Sequence, residues 1–339
     1  MVRLLAAAAV VAASLAAPAL AGTPARVGYP SSIGVIGDSF ETGFATNRTR
    51  PPIDVPANDW VTGTNPAIQS HYLRILAENP AIRGHAYRKA QDGAGMVDFA
   101  GQVDELPRGV GYIVEALGAD DMCTGEPLAK FRRNALLGMR ELARTQPDAR
   151  VLMVGIGGIE AIWNAAGPDP VLRASVGDAG PCDPKFDADG VPSPAAVAAL
   201  HAAEARYNGG LQSVCARSVH CRWDGVAYDT LHLVGADLAP LEPHHPSPSG
   251  QAKVSAALWA ATFDFTDTSA PVSRATRAGG TVTLSATDPE GVAGIEYRFA
   301  AKGPWTRYAK PLAPKKGTTL TWRAVDVNGN VEASHSLRA

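Results

Sequence analysis

The chain has 339 residues, of which 46% are hydrophobic and 19% are charged, and its formal net charge at pH 7 is −2. This length accommodates one large domain and a smaller one, and the apolar fraction is sufficient for a buried core. The charge balance argues against nucleic acid as a partner, because no basic cluster exceeds Lys315-Lys316.

The N-terminus has the features of a secretory signal peptide. Arg3 precedes an Ala/Leu/Val run to Leu15, and the small-residue ending Pro18-Ala19-Leu20-Ala21 follows. We therefore expect residues 1–21 to be removed and the mature protein to be secreted to the extracellular space. The alternative, a membrane anchor, requires about 20 apolar residues, and no later stretch is long enough to be a transmembrane segment.

The four cysteines are expected to form disulfides, because export leads to an oxidising compartment and none of them belongs to a Cys-x-x-Cys pair. Four cysteines allow three pairings. Proximity in sequence favours Cys215 with Cys221, which leaves Cys123 with Cys182, but the sequence does not exclude the other two pairings.

The first predicted element is a buried strand that ends at a serine. The apolar residues Ile33, Val35 and Ile36 run into Gly37-Asp38-Ser39, which predicts a strand followed by a tight turn. A serine at this place has its hydroxyl at the carboxyl edge of a sheet, where open α/β folds bind ligands. Residues 41–64, rich in Pro, Gly, Asn and Thr, are predicted to be a loop.

Strand and helix patterns then alternate, which predicts a parallel sheet with both faces covered. The spacing of apolar residues predicts strands near 85–90, 112–117 and 150–156, a last segment that opens at 221–224, and helices over 68–76, 128–145, 195–207 and 251–263. In the first of these helices, His71 and Arg74 are interpreted as structural or solvated residues. Ser249 is the expected cap of the last helix.

A shift in composition near Asp267 predicts a second domain. Residues 268–339 contain ten Lys/Arg, five Asp/Glu and no cysteine, and they show alternating strand patterns at 281–285, 295–299 and 319–325. Asp288-Pro289-Glu290-Gly291 and Asn328-Gly329 are turn signals. We therefore predict an α/β domain over residues 22–266 and a small all-β module of immunoglobulin-like size over residues 268–339.

Three side chains have the chemistry that ester hydrolysis requires. Ser39 supplies a nucleophilic hydroxyl, His245 is the natural base, and Glu242, three residues earlier, could hold the other ring nitrogen of His245. Asp237 is the alternative orienting acid.

These residues resemble the four sequence blocks of the SGNH (GDSL-type) hydrolases. The blocks correspond to Gly37-Asp38-Ser39, Gly93 in Ala90-x-x-Gly93-Ala94, Gly118-x-x-Asp121 and the acid-x-x-His-Pro-Ser pattern of residues 242–247, and their order matches over residues 31–262. The cysteine arrangement resembles that of the secreted actinobacterial esterases and lipases of the family. The α/β-hydrolase elbow, Gly-x-Ser-x-Gly, is set aside because position 41 is Glu.

The resemblance implies a flavodoxin-like three-layer α/β/α fold and hydrolysis of acyl esters through an acyl-serine intermediate, without a metal or other cofactor. It also implies that Ser39 is the nucleophile, that His245 is the base, and that the backbone N–H groups of Ser39 and Gly93 belong to the oxyanion hole. The small module resembles bacterial cell-surface β-sandwich repeats that end in Asp-x-Asn-Gly-Asn, here residues 326–330, which implies spacing or attachment to a cell surface.

Two positions depart from the family pattern. Glu242 stands where the family has Asp, and Asp120 stands where the family has an asparagine that donates to the oxyanion. An ionised carboxylate about 4 Å from an oxyanion would repel it by about 4 kcal/mol at an effective dielectric constant of 20. The missing donor would add about 3 kcal/mol. We therefore expect Asp120 to point aside or to be neutral during turnover.

The expected substrate is a carboxylic ester of a lipid, a phospholipid, a short acyl chain or an acylated glycan. Because no lid-like apolar segment is evident, an esterase of soluble or short-chain substrates is favoured over an interfacial lipase. A polysaccharide O-deacetylase is the second enzymatic hypothesis, and it would require a polar cleft. The hypothesis from another class is an impaired protein that binds a surface glycan without turnover.

Overall fold

The computed structural model describes residues 28–176, 180–278, 280–300 and 302–339, so that the predicted signal peptide lies outside the described residues. The larger domain is built on a parallel sheet of five strands in the order β2-β1-β3-β4-β5. These strands are β1 (Ile33–Gly37), β2 (Ala86–Arg88), β3 (Tyr112–Ala116), β4 (Arg150–Met153) and β5 (Cys221–Trp223). The strand order changes direction beside β1, and ligands of open α/β sheets bind at such a point.

Helices cover both faces of the sheet. They are α1 (Ser39–Thr42), α2 (His71–Glu78), α3 (Phe99–Asp104), α4 (Ala119–Thr124), α5 (Leu128–Thr145), α6 (Ile159–Ala166), α7 (Pro170–Arg173), α8 (Pro194–Cys215) and α9 (Pro248–Ala261). Alternation along β1 separates two cores, because Ile36 belongs to the core under α3, α5 and α8, whereas Ile33 and Val35 belong to the core under α2 and α9. Within the described residues, no helix is both long and apolar enough to cross a membrane.

Helices α3 and α5 approach each other closely at Gly138. A Cβ atom at this position would overlap the ring of Phe99, which is fully buried. The absence of a side chain at Gly138 therefore makes room for Phe99 between the two helices.

Both disulfide predictions are confirmed. Cys123 in α4 bonds Cys182, with 5.2 Å between the Cα atoms, and Cys215 at the end of α8 bonds Cys221 at the start of β5, with 5.3 Å between them.

The prediction that Ser249 caps α9 is wrong. Ser247 is the cap, and its Oγ accepts a hydrogen bond from Gly250 N, whereas Ser249 lies in the first turn and its Oγ donates to Ala236 O. The helix begins earlier than predicted because Pro248, whose φ is preset for a helix and which needs no N–H partner, occupies the first helical position.

The predicted loop of residues 41–64 contains more structure than its composition indicates. It includes the second half of α1 and a single helical turn at 56–58, and it buries Trp60 completely. The indole of Trp60 donates to Glu41 Oε1 at 2.8 Å. This segment is therefore packed against the first strand and forms part of the support of Ser39.

The C-terminal region is a separate antiparallel β structure. Strands β6 (Val272–Ala278) and β7 (Thr281–Thr287) form one sheet, and β8 (Val292–Arg298), β9 (Thr306–Arg307), β10 (Thr319–Asp326) and β11 (His335–Arg338) form the other, in the order β11-β10-β8-β9. Side chains from both sheets share a core that includes Val282, Leu284, Ile295, Leu320 and Trp322.

This β module docks on the amino-terminal edge of the parallel sheet. Arg150, the first residue of β4, donates to Asn330 Oδ1 at 2.8 Å, and Gly329, with a φ of 76°, lies against its side chain. Arg323 of β10 forms an ion pair of 2.7 Å with Asp148, just before β4. Because all five strands run in the same direction, this edge is opposite the one at which β1 delivers Ser39.

Candidate active site

Ser39 lies at the first turn after β1, in a backbone held by three side chains. The side chain of Asp38 accepts from Phe40 N at 3.0 Å, and Glu41 Oε2 accepts from Asp38 N at 3.2 Å, which together form a capping box at the start of α1. On the other side, Gln102 Oε1 accepts from Gly37 N at 2.9 Å and Gln102 Nε2 donates to Gly37 O at 3.0 Å. The hydroxyl of Ser39 is therefore carried on a backbone with little freedom.

His245 comes to this serine from a segment 206 residues further along the chain. Its Nε2 lies 2.8 Å from Ser39 Oγ, which is the geometry of a hydroxyl that donates to a neutral imidazole. The ring is 5% exposed, and it packs against Phe40 and Phe44 with centroids 5.6 and 5.1 Å away. The structure thus brings together the predicted nucleophile and the predicted base.

The second ring nitrogen of His245 does not meet either of the expected acids. The carboxylate of Glu242 lies 3.8 Å from Nδ1 of His244, and that of Asp237 forms an ion pair of 2.6 Å with Lys253. Among the residues that the structure describes, no hydrogen-bond partner reaches His245 Nδ1. The reason is a tight turn in which His245 N donates to Glu242 O at 2.8 Å, so that Glu242 presents its carbonyl rather than its carboxylate to His245.

Burial and, to a smaller extent, the neighbouring His244 lower the pKa of His245 to about 3, although the Glu242 backbone opposes the shift. The imidazole is therefore neutral and able to accept the proton of Ser39 throughout the range above pH 5. Because a base is lost only when pH falls through its pKa, the acid limb of kcat/KM for ester hydrolysis is expected below pH 5 rather than near the ordinary value of 6.5. A pH series of kcat/KM checks this, and an acid limb with its midpoint at or above 6.5 would contradict it.

The two remaining residues predicted for the oxyanion hole lie in the neighbouring turns. Gly93 has a φ of 70°, in the left-handed region that glycine adopts easily, and its turn is tied to α1 by a hydrogen bond of 2.8 Å between Thr42 Oγ1 and Asp92 Oδ1. Asp120 is in the first turn of α4, after β3, and lines the same cavity as Ser39.

Asp120 is close enough to Asp38 to influence its ionisation. Burial raises the pKa of Asp38 to about 8, and the charge of Asp120 is the next largest cause. Burial likewise raises the pKa of Glu41 well above its usual range and that of Glu115 to about 8. Burial therefore disfavours the charged forms of Asp38, Glu41 and Glu115, which limits the negative charge around Ser39.

Replacing Asp120 with asparagine is expected to leave kcat equal to that of the wild type or to raise it. The amide has no charge to repel an oxyanion and it adds an N–H donor of the kind that contributes about 3 kcal/mol in other hydrolases. Steady-state hydrolysis of a p-nitrophenyl ester by D120N and the wild type gives the comparison. A decrease of tenfold or more would show that the carboxylate itself is needed.

Ser39 opens onto a cavity of about 160 Å³. Its wall is mainly apolar, and α6 with the segment before it contributes part of that wall. The lining includes Leu117, Ile156, Ile159, Ile162, Trp163 and Val176, together with the Cys123–Cys182 disulfide. Within the described part of the chain, no group of three or more His, Cys, Asp or Glu side chains is arranged to hold a metal ion.

Comparison with known proteins gives only remote similarities. No protein-family model matches the chain, and no curated protein matches it. Among solved structures, the chain is similar to TesA, with 14% identity, a TM-score of 0.39, and coverage of 68% of this chain and 97% of that one. It is also similar to a carbohydrate esterase family 2 enzyme with a carbohydrate-binding domain from Corynascus thermopiles (Myceliophthora fergusii). The identity is 16%, the TM-score is 0.40, and the match covers 71% of this chain and 68% of that one. A third similar structure is that of a two-domain esterase active on acetylated mannans. The identity is 12%, the TM-score is 0.36, and the match covers 86% of this chain and 67% of that one.

Proposed function

We propose that this chain is a secreted serine carboxylester hydrolase of the SGNH type, with a flavodoxin-like α/β/α domain and a C-terminal immunoglobulin-like module. The observation that carries the proposal is the distance of 2.8 Å between Ser39 Oγ and His245 Nε2 at the carboxyl edge of the sheet, beside an apolar cavity. Two disulfides and the signal-like N-terminus support secretion. Attachment to a cell surface is the role proposed for the module.

In this mechanism Ser39 Oγ attacks the carbonyl carbon of the ester while His245 Nε2 accepts the hydroxyl proton. The charge on the carbonyl oxygen is stabilised by the backbone N–H groups of Ser39 and Gly93. When the C–O bond to the alcohol breaks, His245 returns its proton to the leaving oxygen, and the acyl group remains on Ser39. A water molecule then gives a proton to His245 and attacks the acyl carbon. When the bond between that carbon and Ser39 Oγ breaks, His245 Nε2 returns the proton to Ser39 Oγ, which restores the serine and releases the carboxylic acid.

In this reaction the aromatic neighbours of His245 and the Glu242 backbone orient the imidazole ring. Phe40 and Phe44 contact the ring, and the Glu242 carbonyl holds the His245 main chain. The neighbouring Glu242 backbone also favours the protonated ring that forms during turnover. We therefore propose a Ser39–His245 dyad in which the Glu242 carboxylate does not bind the histidine.

The alternative of a polysaccharide O-deacetylase requires a polar cleft, and the apolar wall of this cavity favours an ester with a hydrocarbon acyl group. The alternative of an impaired protein that only binds a glycan predicts an unreactive Ser39. One experiment distinguishes the ester hydrolase, the polysaccharide deacetylase and the glycan-binding protein. A fluorophosphonate probe is added to the full chain, the labelled peptide is identified by mass spectrometry, and hydrolysis of p-nitrophenyl esters and of an acetylated polysaccharide is measured in parallel.

Labelling of Ser39 together with ester hydrolysis is the expected result. Labelling with activity on the acetylated polysaccharide alone would favour the deacetylase. The absence of both labelling and hydrolysis would contradict the proposal and favour the binding protein.

A further inference from the structure

A second groove, of about 240 Å³, lies where the β module meets the larger domain. One of its walls is a face of α5 on which the lining residues follow helical spacing, namely Leu136, Met139, Arg140 and Ala143. The other walls come from the first residues of β4, from the segment that leads into β5 and from the module, through Val151, Val219, Trp305 and Arg307. The groove is therefore at the amino-terminal end of the sheet, whereas Ser39 is at the carboxyl end.

The lining combines apolar side chains with unpaired cations. More than half of the lining residues are apolar, and three of the others are the exposed arginines Arg140, Arg217 and Arg307. Within the described parts of the chain, none of these three arginines forms an ion pair with a carboxylate. Arg307 donates to Ala293 O at 2.8 Å, and its other N–H groups remain available.

The acidic residue in the lining, Glu296, is already paired. Its Oε1 accepts from Arg323 Nε at 2.6 Å and lies 3.3 Å from His220 Nε2. Because Arg323 also pairs with Asp148, this cluster carries about one negative charge in excess. The three arginines outweigh it, so the groove attracts an anion.

The two properties together define the ligand. We propose that this groove binds an amphipathic carboxylate, with its hydrocarbon chain against the apolar lining and its carboxylate on the arginines. An apolar cavity of about 150 Å³ takes one benzene molecule, which has six carbon atoms, so a groove of about 240 Å³ has room for about nine or ten carbons. A free fatty acid such as decanoate has this size and charge. The site is separate from Ser39, and the proposal does not depend on hydrolysis.

Calorimetric titration of the full chain with decanoate is expected to show saturable binding. Acetate has the same charge without the chain, and 1-decanol has the same chain without the charge. Each should bind at least about tenfold more weakly than decanoate, because each lacks one of the two interactions. Hexanoate, which is four methylenes shorter, should lose up to about fourfold in affinity per methylene.

Two variants locate the bound decanoate. The double variant Arg140→Gln/Arg217→Gln removes two of the three cations and should raise the Kd for decanoate by at least about tenfold. Ala143→Phe places an aromatic ring at an exposed position of the lining and should raise it by a similar factor, because the ring takes up space that the chain needs. Arg133→Gln, at an exposed arginine of α5 outside the groove, is the matched control and should change the Kd by less than about twofold.

Several results would overturn this proposal. They are the absence of saturable decanoate binding, a wild-type Kd in both groove variants, which would place the ligand elsewhere, and retention on phosphatidylglycerol vesicles without binding of decanoate, which would reassign the arginines to a membrane surface. If circular dichroism shows that the double variant does not fold, the Kd of Ala143→Phe decides. Ser39→Ala should bind decanoate as the wild type does. Failure of the proposed hydrolysis would therefore leave this proposal intact, and failure of decanoate binding would leave the hydrolysis intact.

Discussion

Replacing Ser39 with alanine is expected to lower kcat for ester hydrolysis by at least about 10⁴-fold. The substitution removes the oxygen that would form the acyl intermediate, so His245 Nε2 has no serine hydroxyl from which to accept a proton. The fold should be unaffected, because the capping contacts of Asp38 and Glu41 and the clamp of Gln102 on Gly37 do not involve the Ser39 side chain. Steady-state hydrolysis of a p-nitrophenyl ester and the thermal unfolding midpoint are the two measurements.

A serine close by in the structure provides the control. Ser249 is four residues from His245, and its Oγ donates to Ala236 O at 3.1 Å. Ser249→Ala should therefore keep its activity within about twofold, since substitutions outside the site seldom change more than local stability. Retention of a tenth or more of the wild-type kcat by Ser39→Ala would exclude Ser39 as the nucleophile.

Replacing Gly138 with alanine is expected to lower the free energy of unfolding by up to about 2 kcal/mol. Alanine in a helix interior is normally favoured over glycine by about 1 kcal/mol. Here the added methyl group would overlap the ring of Phe99, which is fully buried and has no space into which to move. Overpacking of a core costs about 1–3 kcal/mol, so the clash outweighs the gain in helix propensity. Urea denaturation followed by circular dichroism measures the change.

Gly209→Ala is the matched control for this prediction. Gly209 is in the interior of α8, and a Cβ atom there would meet nothing within 4 Å. This variant should be more stable than the wild type by up to about 1 kcal/mol, because only the propensity effect remains. Equal stabilisation by Gly138→Ala would show that α3 and α5 separate easily at Phe99.

The parts of the fold that follow from local patterns were predictable from the sequence. The apolar run that ends at Ser39 forms β1, and the apolar runs at 112–117 and 150–156 contain β3 and β4. These strands are buried on both faces, so they are continuous hydrophobic stretches bounded by glycine, and such stretches are readily recognised. The pairing of Cys215 with Cys221 followed from their proximity in sequence.

Features that depend on tertiary contacts were not predictable. The polar composition of residues 41–64 does not predict that Trp60 is buried. Its burial depends on the hydrogen bond that its indole donates to Glu41, near the other end of the same segment. The side-chain direction of Glu242 depends on the turn that binds its carbonyl to His245 N, and spacing alone does not reveal that turn. Part of the cavity wall comes from apolar residues of α6, whose pattern resembles that of any core helix.

The contacts of the Asp-x-Asn-Gly-Asn segment, residues 326–330, were also not predictable from the sequence. Its composition indicated a turn, but its asparagines also bind the segment that joins the two domains. Asn328 Oδ1 accepts from Asp264 N at 3.1 Å, and Asn330 Nδ2 donates to Asp267 O at 3.2 Å. A sequence pattern predicts the turn, but the residues that the turn contacts depend on how the module packs against the larger domain.

The docking of the module on the edge opposite Ser39 separates charge along the molecule. Residues 28–267 contain 19 Lys/Arg and 28 Asp/Glu, whereas the module contains ten Lys/Arg and five Asp/Glu. Three exposed cations lie near the paired residues Thr319 and Arg338, at the ends of β10 and β11 away from Asp326: Lys315 and Lys316 in the segment before β10, and Arg338 in β11.

This separation gives the molecule an electric dipole whose positive end is the module. Near a negatively charged surface the field would turn the module toward that surface and Ser39 away from it. The effect acts over about one Debye length, roughly 10 Å at 0.1 M salt, and weakens as salt is added. The same docking therefore determines that the end with Ser39 faces the surrounding medium while the module faces the surface.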